Sequence, residues 1–263
     1  MTPTDILSRY DREARRRTDG MAPGFHVEWD GPVLRMTGPD ATPSANAVLF
    51  AQLDEASADE AIARQVAFFA TAGRSFEWKH FSHDRPLDLP ARLTAAGFEA
   101  AAPESFVVLD LSQEIVPPVA NGIEIRRLED PAAFDAITAV NGAVYGDADH
   151  ASWLARVIRD EKRSDPDGIS VYAAFADEAP VSVGWMRYRR GDAFGSLWGG
   201  ATLAEYRGRG IYTVLVAERV KEARQRGGRW LTVDCSAMSL PILERRGFKR
   251  LAVTTPYIWS NPG

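Results

Sequence analysis

One order of elements occurs twice in this chain. A helical pattern over residues 58–72 stops at Gly73, leads into a strand-like run at 76–81, and is followed by a short helix closing at Gly97-Phe98. Further on, a helical pattern over 210–226, with Tyr212, Val216, Val220 and Ala223 near one face, stops at Gly227-Gly228. It leads into a strand at 230–235 and a short helix closing at Gly247-Phe248. The segments LPARLTAAGF and LPILERRGF end the two copies, and a trailing glycine suits the left-handed cap of a helix. A chain of 263 residues holds one large domain or two small ones, and a recurring order of elements points to two.

The boundary is expected in SQEIVPPVAN, residues 112–121, between strand-like runs at 106–111 and 123–127. The domains are therefore read as 1–115 and 121–263. In the second, apolar runs at 169–175, 181–188 and 194–203 are separated by turn signals at Asp177-Glu178 and Gly191-Asp192, which predicts three successive antiparallel strands. Pro241 belongs in the first turn of the last short helix, and two final strands are expected to flank Pro256.

A net charge of −5 lacks the basic footprint of a general nucleic-acid binder. The single cysteine, Cys235, excludes an internal disulfide and a thiolate zinc cluster, and it fits the reducing cytoplasm. The charged N-terminus has no signal-peptide apolar run, and no stretch approaches a membrane span, so neither membrane nor export is expected. Arg15 to Arg17 read as part of a solvated helix, because no glycine turn leads into them.

The stretch ATLAEYRGRGIYTVLV, residues 201–216, runs a strand into a glycine turn and then a helix. Gly208 and Gly210 permit close approach to backbone N–H groups, the helix N-terminus favours an anion, and Arg207 and Arg209 add positive potential. The spacing matches neither GxGxxG nor a P-loop, so a different phosphate-bearing ligand is expected. An RNA-binding arginine-glycine tract is usually repeated and disordered, whereas this copy is single and embedded between strand and helix.

These residues resemble the pyrophosphate loop of the GNAT superfamily of acetyl-CoA-dependent acyltransferases: Arg or Gln, two residues, Gly, one residue, Gly or Ala. Arg207, Gly208, Arg209, Gly210 and Ile211 match, and Tyr212 stands where the family carries a small residue. The resemblance covers about residues 122–259. It implies an α/β (α+β) fold of two GNAT-like domains, each a mixed, mostly antiparallel sheet flanked by helices. The first would be a degenerate copy, lacking the pyrophosphate loop and binding no acetyl-CoA. It further implies acetyl-CoA as cosubstrate, its pyrophosphate at Arg207 to Tyr212 and its pantetheine arm along Ala201, Thr202 and Leu203. The acceptor would be a small-molecule or peptide amine.

Many family members protonate the departing thiolate with a tyrosine, a position occupied here by Leu243, and their upstream asparagine corresponds to Ser236. Candidates for proton handling are therefore Ser236, Tyr257 and His150, each with a plain alternative as cap or strand-end hydroxyl, strand residue and surface histidine. Cys235 reads as packing, and His80 and His83 as a pair without evident metal partners. Trp153, Trp185 and Trp198 read first as core residues. The loss of the tyrosine keeps a second function open, a non-catalytic CoA-binding or protein-interaction module.

Overall fold

In the computed structural model, which describes residues 1–113 and 120–263, helix α1 (Pro3–Tyr10) is closed at its start by reciprocal hydrogen bonds between Thr2 and Asp5. Strands β1 (His26–Asp30), β2 (Val33–Thr37) and β3 (Ala47–Ala51) lead to α2 (Ala58–Thr71), β4 (Phe76–Phe81), α3 (Leu89–Ala95), β5 (Glu99–Ala100) and β6 (Glu104–Asp110). Next come β7 (Glu124–Leu128), α4 (Asp135–Tyr145), α5 (Ala148–Ser164), β8 (Ile169–Ala176), β9 (Ala179–Arg187) and β10 (Phe194–Thr202). The chain ends with α6 (Ile211–Gln225), β11 (Trp230–Cys235), α7 (Leu240–Glu244) and β12 (Lys249–Trp259). Of the expected linker at 112–121, residues 114–119 lie outside the described residues.

Two compact units result. The first is Met1–Phe106 with Asp234–Ala237 and Arg250–Gly263; the second is Val107–Val233 with Met238–Lys249. This division differs from uninterrupted domains at 1–115 and 121–263, because Thr254 to Trp259 pair antiparallel with Phe81 to Phe76 and so complete the first unit's sheet. The break expected at Pro256 is also absent. Proline's fixed φ suits extended backbone, and its carbonyl still accepts from the Ala101 N–H at 2.8 Å, so one strand runs through it.

The first unit orders its strands β1-β2-β3-β4-β12, with β5 on β12. One core cluster joins Ile62 and Phe69 of α2, Phe76 and Trp78 of β4, Leu93 of α3 and Trp259 of β12. Arg15 departs from the solvated reading. It is buried, donates two hydrogen bonds to Asp84, and lies 3.8 Å from the Phe81 ring centroid, so long-range partners rather than local sequence decide its place.

The second unit orders its strands β7-β8-β9-β10-β11. Successive side chains on a strand face opposite ways. Accordingly Val171 and Ala173 pack with Ile137 of α4 and Ile158 of α5, while Tyr172 and Ala174 pack with Ile211 and Leu215 of α6.

Repetition extends to details. β3 and β4 are parallel and joined through α2, as β10 and β11 are joined through α6. Each helix ends on a positive-φ glycine, Gly73 or Gly227, with the next residue's N–H returning to a carbonyl five residues back at 2.9 Å. The short helices do the same at Gly97 and Gly247, where the Phe98 and Phe248 N–H groups reach Leu93 and Leu243. β3 and β10 even share a one-residue register shift against their neighbours, between Leu34 and Arg35 on β2 and between Trp198 and Ala201 on β10.

Candidate functional site

The copies diverge after the bulged strand. In the first unit, Asp54 accepts hydrogen bonds from the N–H groups of Ala56 and Ser57, and Asp59 and Glu60 occupy the first turn of α2. That helix start repels an anion. In the second unit, a 3-10 turn over Ala204–Tyr206 delivers the chain to Gly208 at φ +76° and Gly210 at φ +79°, and Gly210 caps α6 without a side-chain hydrogen bond. No acidic residue lies in the first turn of α6, and a Cβ at either glycine would meet no heavy atom within 4 Å. The opening N–H groups of a helix lack intrahelical partners, and with uncrowded glycines before them they suit an anion. The residues present thus fit a pyrophosphate.

Arg207 and Arg209 flank the cradle, exposed, and each is partly engaged. Arg207 Nε donates to the Thr202 carbonyl at 3.1 Å, and the Arg209 guanidinium lies 4.9 Å from the Tyr206 ring centroid. Tyr212 does not cover the loop. Its ring lies against Gly200 on β10, where an added Cβ would come within 2.5 Å of Cε2, so Gly200 makes the room that the large side chain needs.

β10 pairs with β11 over Phe194 to Ser196 and Trp230 to Thr232, then continues to Thr202. On its other edge it pairs with β9, interrupted at Gly199 and Gly200. Gly199 has φ +65°, and a Cβ there would sit 1.8 Å from the Trp185 ring, so both backbone and space demand glycine. Of the residues expected along the pantetheine arm, Ala201 and Thr202 already accept at their carbonyls, from Ser182 Oγ at 2.7 Å and from Arg207. Leu203 donates its N–H to Val181.

The proton-handling candidates are not gathered in one unit. His150 belongs to the second unit, in the first turn of α5 rather than before it, exposed, with its ring 5.4 Å from that of Trp153. Ser236 is exposed just beyond β11, and Tyr257 is buried on β12 with its ring edge-on to His80 at 6.0 Å; both belong to the first unit. Leu243, at the family's tyrosine position, is fully buried and apolar. Cys235 is buried, and among the described residues no His, Cys, Asp and Glu group is arranged to hold a metal. Trp185 is a core residue and Trp153 half-buried, but Trp198 is 41% exposed, with its indole N–H donating to Ser196 Oγ at 2.7 Å.

Sequence reasoning missed two features of α6. Glu222 receives Tyr172 Oη at 2.6 Å, Ser170 Oγ at 2.7 Å, Arg226 at 2.7 Å and Arg127 at 3.2 Å, tying β7 and β8 to the helix. Burial opposes its ionisation, but the Tyr172 and Ser170 hydrogen bonds and both arginines outweigh that and hold its carboxyl below the ordinary glutamate value. The second feature is the buried Arg219. A cavity of about 480 Å³ beside the β8–β9 turn, lined by residues including Glu124, Phe175 and Glu178, contains none of the loop residues.

A bulged strand, a glycine turn and a helix behind it form an anion cradle on a mixed α/β scaffold. Residues 131–248 match the model of the acetyltransferase (GNAT) family, and this segment belongs to that family. Over the whole chain the fold is similar to that of a GCN5-related N-acetyltransferase from Kribbella flavida: TM-score 0.67, 16% identity, covering 99% of this chain and 94% of that one. It is also similar to a tandem GNAT protein from the clavulanic acid biosynthesis pathway: TM-score 0.64, 13% identity, 92% and 85% covered. A GCN5-related N-acetyltransferase from Sphaerobacter thermophilus gives a TM-score of 0.61 at 13% identity, with 99% and 86% covered. No curated protein matches the chain by sequence. The mixed, mostly antiparallel sheets flanked by helices are GNAT-like along the length of the chain.

Proposed function

We propose that the chain is an N-acetyltransferase that moves acetyl from acetyl-CoA to a primary amine, on a small molecule or a peptide, by direct attack. The observation carrying this is the cradle of Gly208 and Gly210 at the start of α6. In the proposed site Arg207 to Tyr212 hold the pyrophosphate, and the β10 edge from the bulge through Leu203 guides the pantetheine arm. Acetyl-CoA supplies an activated thioester: the amine nitrogen bonds the carbonyl carbon, the C–S bond breaks with its electron pair on sulfur, and the nitrogen's surplus proton is released.

A neutral amine is required, and His150, in the same unit as the loop, is the candidate that accepts its proton. Thiolate is a tolerable leaving group, so water replaces the acid that Leu243 cannot provide. The first unit is assigned no acetyl-CoA of its own, given the acidic start of α2. Among the described residues no helix is long and apolar enough to cross a membrane, and we place the protein in the cytoplasm.

Isothermal titration with acetyl-CoA tests the cradle. One molecule binds per chain, and Gly210→Asp, which puts a carboxylate where pyrophosphate belongs, abolishes binding. Absence of heat with the intact chain refutes the assignment. The buried Leu243 favours a second reading, a CoA-binding module without catalysis. Thiol release across an amine panel separates the two, since tight binding with no release against any amine supports the module.

A further inference from the structure

α6 buries a charge that no carboxylate among the described residues answers. Arg219 is 1% exposed and donates to three carbonyl oxygens. Nε reaches Leu215 on its own helix at 3.0 Å, and one terminal nitrogen reaches Trp185 on β9 at 3.2 Å and Trp198 on β10 at 3.3 Å. Carbonyls satisfy donors but carry no net charge. The groups that act on it electrostatically are the phenols of Tyr212 and Tyr172, and burial pulls the guanidinium down to about 10. Glu222, on the same helix, is already engaged by Tyr172, Ser170 and two arginines.

A buried, uncompensated cation is costly, and an apolar side chain would fill the position without that cost. The strand beneath is shaped to admit it. A Cβ on Gly184 would lie 2.8 Å from the guanidinium, so the absent side chain is the space Arg219 occupies. The two strand carbonyls it joins belong to Trp185 and Trp198, which are register partners at the last pair before the bulge. A peptide unit is planar, so fixing the Trp198 carbonyl toward α6 turns the Gly199 N–H away from the helix.

We infer that Arg219 is a positioning residue of the transfer site, setting the β10 bulge through the Trp185 and Trp198 carbonyls and lending its unanswered charge to the CoA thiolate that the reaction releases. This rests on the acetyl-CoA reading above. In a water-poor interior a fixed cation acts on a nearby anion far more strongly than in solvent. It therefore lowers the pKa of bound CoA's thiol and improves the leaving group, supplying part of what an acid at position 243 would otherwise contribute.

The experiment compares CoA with desulfo-CoA, which lacks the thiol, by titration calorimetry over a pH series, with thiolate absorbance of bound CoA as a second readout. The intact chain is expected to prefer CoA increasingly as pH rises. In Arg219→Met that preference falls about tenfold, the equivalent of about one unit in the thiol's pKa, over and above the loss of affinity that the altered bulge imposes on both ligands alike. Arg219→Lys, which keeps the charge but not the fork, retains most of the preference. Gly184→Ala, which crowds the guanidinium without removing it, gives an intermediate loss and serves if Arg219→Met does not fold. An unchanged thiol titration in folded Arg219→Met, or in Gly184→Ala if that variant stands in, overturns the inference. Failure of the intact chain to bind either ligand instead overturns the acetyl-CoA reading, and this inference with it.

Discussion

Arg15 holds Asp84 through two hydrogen bonds, of 2.8 and 3.0 Å, with both side chains almost wholly withdrawn from water. Asp84 also accepts from the Phe81 N–H at 2.8 Å. Asp84→Ala leaves a buried guanidinium whose one remaining carboxylate partner among the described residues is the mostly buried Asp11, and is expected to cost about 3–5 kcal/mol in denaturant unfolding. Replacing both partners, as in Arg15→Met with Asp84→Leu, is expected to cost much less. A double variant as unstable as Asp84→Ala would show that the pair is not the source of the loss.

Tyr212 and Gly200 form a second coupled pair. Gly200→Ala drives a methyl into the Tyr212 ring and is expected to destabilise by about 1–3 kcal/mol while weakening acetyl-CoA binding. Tyr212→Ala in the same chain removes the obstacle and recovers most of both. Strictly additive effects in thermal melts and calorimetry would contradict packing of the Tyr212 ring against Gly200.

Glu222 makes the second unit acid-sensitive. Its folded pKa lies below the ordinary value of 4.5, so its contribution to stability is complete above that value and is lost as pH falls through the lower folded pKa. Glu222→Gln is expected to lower stability at pH 7 by about 1–3 kcal/mol and to flatten the acid limb of the stability curve. Parallel acid limbs for the two proteins would assign the sensitivity elsewhere.

Glu77 behaves oppositely. Burial pushes its carboxyl up, Lys79 counters this, and Asp234 and Glu104 push it further up. A raised carboxylate favours the fold most below its unfolded pKa and loses that advantage as pH rises through the folded value. Glu77→Gln, which cannot ionise, is expected to raise the melting temperature at pH 8 and to change it little at pH 4.

Several elements were legible because local chemistry sets them. Phe76–Phe81 and Trp230–Cys235 are strands as expected, and the glycines after the four helices of the repeat announce their caps. The cradle was legible because its requirement for positive φ selects glycine. Arg219 was not, since an arginine on a helix ordinarily marks the solvent face and its partners are backbone carbonyls, which every residue has. Nor was the bulge at Gly199 and Gly200, because register belongs to two strands at once. Trp185 and Trp198 read alike in sequence and differ in exposure because one lies under α4 and α5 while the other faces solvent.

The strand that completes the first unit is made after all its other strands. During synthesis the β4 edge, Phe76–Phe81, is translated long before Thr254 to Trp259 exist to pair with it. Until then the nascent first half presents a row of unsatisfied backbone groups bordered by Phe76, Trp78 and Phe81, an open template for pairing with other chains. Expression of residues 1–115 alone makes that transient state permanent, so insoluble material is the expected product. The two halves are thereby bound to a common fate: a truncation in the last dozen residues disables the first unit as surely as a lesion within it.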